Sequence, residues 1–205
     1  MLERSLMAGT ASHPKVLVDS VWASEGLTRE LSLVIGGSLV IAAAAQLKIV
    51  LPFTPVPVTG QTFAVLLIGA LYGSKRGVAT IMTYLSLGIM GLPVFSAAPP
   101  GPGALVSPTA GYLIGYVGAA WLIGTLTERG WDRRPWTTAL AMAVSSLVIF
   151  ACGVLWLGRF VGWENVLQTG FFPFIPGDLV KIAVATAILP AGWKLLGTRQ
   201  DKPEA

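Results

Sequence analysis

The chain has 205 residues, 54% of them hydrophobic and only 12% charged, with a mean hydropathy of +0.71; an ordinary soluble domain is about 25% charged, so a water-soluble fold is excluded in favour of a one-domain integral membrane protein. The formal charge is +4, but Lys and Arg fall in short clusters between apolar segments rather than along one stripe, which excludes a nucleic-acid surface and reads as membrane topology. The one cysteine, Cys152, sits in an apolar run, forms no internal disulfide, and reads as a small buried hydrophobe.

Residues 1–30 include Arg4, His13, Lys15, Asp19, Glu25 and Arg29 and have no long apolar core. That predicts a cytoplasmic N-terminal tail, mobile up to about Trp22, rather than a cleavable secretory signal. The membrane domain is predicted over 31–196, with its first span from Leu31 to Leu51. Gly36, Gly37, Ser38 and the alanines from Ala42 to Ala45 make one side of that span small. Ser38 and Ala42 stand at small-xxx-small spacing, which fits packing inside the same bundle and docking on a partner subunit equally well.

Pro52, Pro55 and Pro57 forbid continuous helix from Pro52 to Thr59, although the stretch is apolar and uncharged. Irregular backbone at membrane depth is tolerated where it lies against a cavity or buried in protein, so this loop is placed at a binding region or its rim. The following helix, predicted over Gln61 to Tyr72, is too short at about 1.5 Å per residue to cross alone, and the proline stretch must carry part of the crossing. A basic turn from Gly73 to Gly77 leads into a third segment, Val78 to Leu92, whose Tyr84 needs a partner or a ligand for its phenol. The hydroxyls of Thr80, Thr83 and Ser86 in the same segment are expected to bond their own backbone in part.

Pro93 to Pro108 is long, uncharged and interrupted by proline and glycine, yet it carries Val94, Phe95, Leu105 and Val106. A linker exposed to water would be more polar, so a loop folded over a pocket is predicted. Spans follow over Thr109 to Leu126, Trp136 to Leu157 and Gly177 to Leu196. The charged turn Glu128 to Pro135 lies between the first two, and the aromatic loop Gly170 to Pro176 precedes the last. Most tryptophans fall near segment ends, as membrane anchors do. The fold class is therefore an all-α membrane protein, a six-transmembrane-helix bundle with apolar Pro/Gly-rich external loops and a cytoplasmic C-terminal tail over 197–205.

Arg4, Lys15, Arg29, Lys75, Arg76, Arg129, Arg133, Arg134, Lys194, Arg199 and Lys202 fall on one face, eleven of the 14 basic residues. By the positive-inside rule both termini are cytoplasmic, in the plasma membrane, and the proline-rich loops are external. The chemistry available is narrow. His13 is in the tail and Cys152 has no partner in the membrane, which argues against a metal site, a cofactor or nucleophilic catalysis. No Walker sequence occurs, so any ATP hydrolysis belongs to another polypeptide.

Asp178 and Lys181 share one face at the start of the sixth span. Either charge at the centre of a membrane helix costs about 2.5–3.5 kcal/mol, so keeping both needs a reason: a structural ion pair or a polar ligand site. The cost favours the ligand site, for a molecule with amide-like N–H donors and an oxygen acceptor or carboxylate.

Four ordered motifs carry a family resemblance: Leu51-Pro52-Phe53-Thr54-Pro55-Val56-Pro57-Val58-Thr59 with Gln61-Thr62-Phe63; Tyr84-Leu85 with Gly88 and Gly91-Leu92-Pro93-Val94-Phe95; Pro108-Thr109 with Gly111-Tyr112-Leu113; and Gly177-Asp178 with Lys181. Together they resemble the BioY family, the biotin-binding S components of energy-coupling factor (ECF) transporters. The resemblance spans Leu31 to Leu196. It implies biotin as transported substrate and association with a membrane T component and cytoplasmic ATPases. It further implies ligand contacts from Asp178 and Lys181, then Tyr84 and Tyr112, with the first span as the T-component contact. Where the family often has a polar amide after Phe95, this chain has Ser96-Ala97-Ala98-Pro99-Pro100, so either Ser96 replaces that contact or the contact is missing. Other readings are an S component for another small vitamin, a homo-oligomer, or a structural bundle in which Asp178 and Lys181 merely pair.

Overall fold

Backbone polar groups in hydrocarbon must be satisfied within their own segment, so long apolar runs become helices. The computed structural model describes residues 16–22 and 26–200. Its helices are α1 (Leu17–Val21), α2 (Leu27–Gln46), α3 (Gln61–Ile89), α4 (Ala110–Glu128), α5 (Pro135–Val161), α6 (Val166–Gly170) and α7 (Ile175–Gln200). Short 3-10 turns occupy Pro102–Val106, Trp131–Arg133 and Phe172–Phe174. A two-residue antiparallel pair joins β1 (Lys48–Ile49) to β2 (Val58–Thr59), with Lys48 opposite Thr59.

Among the described residues, five helical stretches are long and apolar enough to cross a membrane, and α3 contains two crossings. Gly73 interrupts it at φ 83°, ψ 178°. A Cβ placed on Gly77 would lie 3.0 Å from the Cα of Gly69, whereas eight residues of continuous helix extend about 12 Å. The chain therefore reverses at Gly73, and residues 61–72 and 74–89 form an antiparallel hairpin. This gives the predicted six crossings, with the reversal on one glycine and Ser74, Lys75 and Arg76 drawn into the returning helix.

Packing follows chain order, α2 on α3, α3 on α4, α4 on α5 and α5 on α7. Ile41, Val65, Ile81, Ile123, Met142, Ile149 and Leu157 fill the core, while Leu39, Val40, Leu155, Leu179 and Ile188 stay exposed on the faces presented to lipid. Glycines set the closest approach: a Cβ on Gly115 of α4 would be 3.0 Å from the Ile149 Cα of α5.

The two ends of the bundle differ. At one, Glu128 closing α4 accepts the Ser74 N–H at 2.7 Å and the Ser74 hydroxyl at 2.8 Å. Arg76 donates there to Asp19 and Glu30, both at 2.7 Å, and Arg29 to Asp19 at 2.8 Å. Trp193 of α7 donates to Asp132, between α4 and α5, at 2.5 Å. The opposite end holds the β pair, the loop between α3 and α4, and the starts of α4 and α7.

Several boundaries are corrected. Residues 16–22 are not a loose tail: Val16 and Leu17 are buried, and the ion pairs of Asp19 hold α1 against α2 and α3, because buried Arg29 requires a carboxylate. The first span runs from Leu27 to Gln46 rather than Leu31 to Leu51, since Lys48 and Ile49 are drawn into the β pair. Ser38 is fully buried, with its hydroxyl 2.7 Å from the Val34 carbonyl and 3.1 Å from that of Thr80. It packs inside the bundle, out of reach of a partner subunit, while Ala42 is half-buried against the core. Helix α6 is an element the sequence did not signal. Arg4, His13, Lys15 and Lys202 lie outside the described residues.

Candidate binding site

The site is built where the proline stretch meets the start of α3. Proline denies residues 52–57 a helical course, and the chain pairs briefly at Val58–Thr59 before the Thr59 hydroxyl accepts the Gln61 N–H at 3.3 Å and α3 begins. Gln61 thereby enters the bundle interior. Its Nε2 donates to the Tyr84 hydroxyl at 2.8 Å, and that hydroxyl donates to the Val94 carbonyl at 3.1 Å.

The loop after α3 folds inward at this point. Phe95 stands edge-on to Tyr84 with ring centroids 5.5 Å apart, in space that only a glycine at 88 leaves open. The Gly101 N–H donates to the Gly88 carbonyl at 2.8 Å, the Trp156 indole to the Ser107 carbonyl at 2.9 Å, and the Lys48 ammonium to the Ser96 carbonyl at 2.9 Å. The front of the loop covers the bundle end as predicted, whereas Leu105 and Val106 face outward.

Beneath the loops lies a cavity walled by Val56, Pro57 and Gln61 on one side and by Phe95 to Ala98 above. Tyr112 and Tyr116 of α4 and Phe150 and Phe174 close its far side. Its atom-free space is about 480 Å³ and opens outward, but the part reachable by the centre of a water molecule is about 40 Å³. Pockets for small molecules are mostly apolar with a few placed polar groups, and the lining of this cavity has that character in a closed, tightly filled form. Phe150 sits 6.1 Å from Phe174 and 5.3 Å, edge-on, from Phe171, giving an aromatic wall.

The residues singled out in the sequence are distributed around this cavity. Ser96 and Tyr112 line it. The Ser96 hydroxyl has no partner among the described residues, while that of Tyr112 donates to the Gly170 carbonyl at 2.7 Å. Tyr84 stands behind the wall and reaches the cavity through Gln61.

Asp178 and Lys181 do not line it, and no ion pair joins them. Asp178 accepts the Ser146 hydroxyl of α5 at 3.0 Å. The Lys181 ammonium donates to the Thr59 carbonyl and the Thr62 hydroxyl, both at 2.8 Å, and both threonines line the cavity. The two charges thus bind α7 to α5 and to α3 immediately behind the wall. An ammonium has three N–H donors and two are spent here, so one remains.

Polar lining residues that were missed include Gln61, Tyr116, Thr59 and Thr62. Tyr116 lies one turn beyond Tyr112 on the same face of α4, a spacing that could have revealed it. Its hydroxyl has no hydrogen-bond partner among the described residues and is not sealed in the protein, so it looks into the cavity.

Residues 12–198 match the profile of the BioY family. The chain is similar to a biotin transporter BioY of Thermotoga maritima, 40% identical over 140 residues, 67% of this chain and 81% of that protein. It is also similar to a probable biotin transporter BioY of Pyrococcus horikoshii, 36% identical over 160 residues, 78% of this chain and 93% of the relative. Among solved structures, the S-component for biotin from an ECF-type ABC transporter matches in fold with a TM-score of 0.70 at 21% identity, covering 87% of this chain and 96% of the other.

Proposed function

The chain belongs to the BioY family, a family of transporters rather than enzymes, and from that premise we propose that it binds biotin in the cavity beneath the loops. It then carries biotin inward as the S component of an ECF transporter. The observation that carries this reading is the cavity itself: apolar and aromatic walls with the Gln61 amide and the Tyr116 hydroxyl among the few polar groups open to it. Biotin offers a fused ring with two ureido N–H donors and a carbonyl, an apolar thiophane, and a chain ending in carboxylate. The ring suits the aromatic wall of Phe150 and Phe174, and the ureido group suits hydroxyl and amide partners.

Asp178 and Lys181 act from behind that wall. The unspent N–H of Lys181 is available to a carboxylate or carbonyl once the loops part, and Asp178 supplies the matching acceptor. With Arg29, Lys75, Arg76, Arg129, Arg133 and Arg134 at the opposite end of the bundle, the cavity faces outward and both termini face the cytoplasm. Energy comes from a membrane T component with cytoplasmic ATPases, since this chain has no nucleotide-binding sequence. The first span remains the proposed T-component contact, through its exposed face at Leu31, Ile35 and Leu39 rather than through Ser38.

Calorimetric titration of purified protein with biotin tests the assignment. Saturable binding is expected, weakened at least about tenfold in Asp178→Asn and in Lys181→Ala, as the loss of a charged hydrogen bond implies. No saturable binding by the wild type would overturn it.

A further inference from the structure

The hydrogen bonds behind the cavity fix the direction of one amide. Tyr84 has a single hydroxyl hydrogen and donates it to the carbonyl of Val94, which can only accept. The same hydroxyl must therefore accept from Gln61, and Gln61 must present its NH₂ end to Tyr84 at 2.8 Å. Its carbonyl oxygen is turned to the other side. Among the described residues that oxygen accepts no hydrogen bond, and it is not sealed from open space. Gln61 is otherwise 3% exposed and lines the cavity, so the open space it meets is the cavity.

We infer that Gln61 is a specificity-determining residue, its Oε1 accepting a hydrogen bond from an N–H donor of the ligand, with Tyr84 as the positioning residue that keeps the amide from flipping. On the biotin reading, on which this rests, the donor is one ureido N–H. The relay Gln61 to Tyr84 to Val94 runs in one direction only, because its terminal acceptor is a backbone carbonyl. A ligand presenting an acceptor at that point meets a lone pair and is rejected. The Gln61 backbone N–H also donates to the Thr59 hydroxyl, next to the Lys181 contact with the Thr59 carbonyl, so Gln61 is held on both sides and needs little reorganisation on binding.

A double-mutant cycle between protein and ligand tests this. Biotin and the two isomers of biotin methylated on one ureido nitrogen are titrated into wild type, Gln61→Met, Gln61→Glu and Tyr84→Phe, each checked for folding by circular dichroism. Wild type is expected to discriminate against one methylated isomer by at least about tenfold beyond the other. Gln61→Met is expected to abolish that difference, Gln61→Glu to retain it because an acceptor remains, and Tyr84→Phe to reduce it while leaving Gln61 in place. Should Gln61→Met fail to fold, Tyr84→Phe decides the matter by the same ratio. Equal discrimination in wild type, Gln61→Met and Tyr84→Phe would overturn the role of Gln61 while leaving biotin binding intact. Absence of biotin binding by folded wild type would overturn both.

Discussion

Buried polar residues in this bundle differ in what their partners leave over. Asp178 bonds to Ser146, and Lys181 to Thr59 and Thr62 with one N–H to spare. Asp132 is wholly buried: one oxygen accepts the Trp193 indole N–H, and Oδ1 has no partner among the described residues. Burial pushes its carboxyl above the usual carboxylate value of 3.8, against the opposing pull of the Trp193 hydrogen bond. The folded chain thus holds the Asp132 proton more tightly than the unfolded chain. Ionised Asp132 is a penalty above the raised folded value, relieved as pH falls toward the unfolded one. Asp132→Asn removes the charge and keeps an acceptor for Trp193. Thermal unfolding of the variant in detergent at about pH 7.5 is expected about 2–4 °C above wild type for about 1 kcal/mol, with the gap narrowing as the pH is lowered below the raised folded value. A lower midpoint for the variant at the higher pH would refute this.

Residue by residue, legibility followed cost. A charge in an apolar run is conspicuous, so Asp178 and Lys181 stood out in the sequence, but their partners did not, since Ser and Thr are common in membrane helices and usually bond their own backbone, as Thr80 and Thr83 do here. Gln61 read as a helix start beside a proline loop. Nothing in the sequence told which end of its amide would face inward, because that depends on the contact of Tyr84 with Val94, ten residues along the chain.

At the scale of elements, the six crossings were legible from apolar length and turn residues, while the junctions depended on contacts. Gly73 shows why. Its φ of 83° with ψ of 178° belongs to a region essentially confined to glycine, and a Cβ there would sit 2.7 Å from Glu128 Oε1, the atom that accepts the Ser74 N–H. Conformation and space both exclude a side chain. Gly73→Ala is expected to destabilise the protein by about 1–3 kcal/mol from backbone strain, with further loss if Glu128 is displaced. Gly36 is the control: it is helical, and a methyl group added there would meet nothing within 4 Å, so Gly36→Ala is expected to be neutral or stabilising by up to about 1 kcal/mol. Denaturant unfolding of both variants checks the contrast, and equal effects would refute the hairpin constraint.

For the whole molecule, the sorting of charge between the two ends decides orientation. Lys75, Arg76, Arg129, Arg133, Arg134 and Arg29 gather at the end defined by the Gly73 reversal and the α4–α5 turn, and the contacts of Arg76 with Asp19 and Glu30 and of Trp193 with Asp132 bring α1, the start of α2, the reversal within α3 and the later part of α7 to the same level. The cavity end has Lys48, held on the Ser96 carbonyl, and Arg159, stacked 4.9 Å from the Trp156 ring. Because positive charge near span ends resists translocation, the basic end is expected in the cytoplasm and the loops outside. In a Cys152→Ser background, Pro99→Cys on the exposed loop and Arg134→Cys on the exposed basic turn report the two faces separately. A membrane-impermeant maleimide applied to intact cells is expected to label Pro99→Cys and to reach Arg134→Cys only after permeabilisation. The reverse pattern would invert the bundle and turn the cavity toward the cytoplasm, leaving external capture of biotin without a physical route.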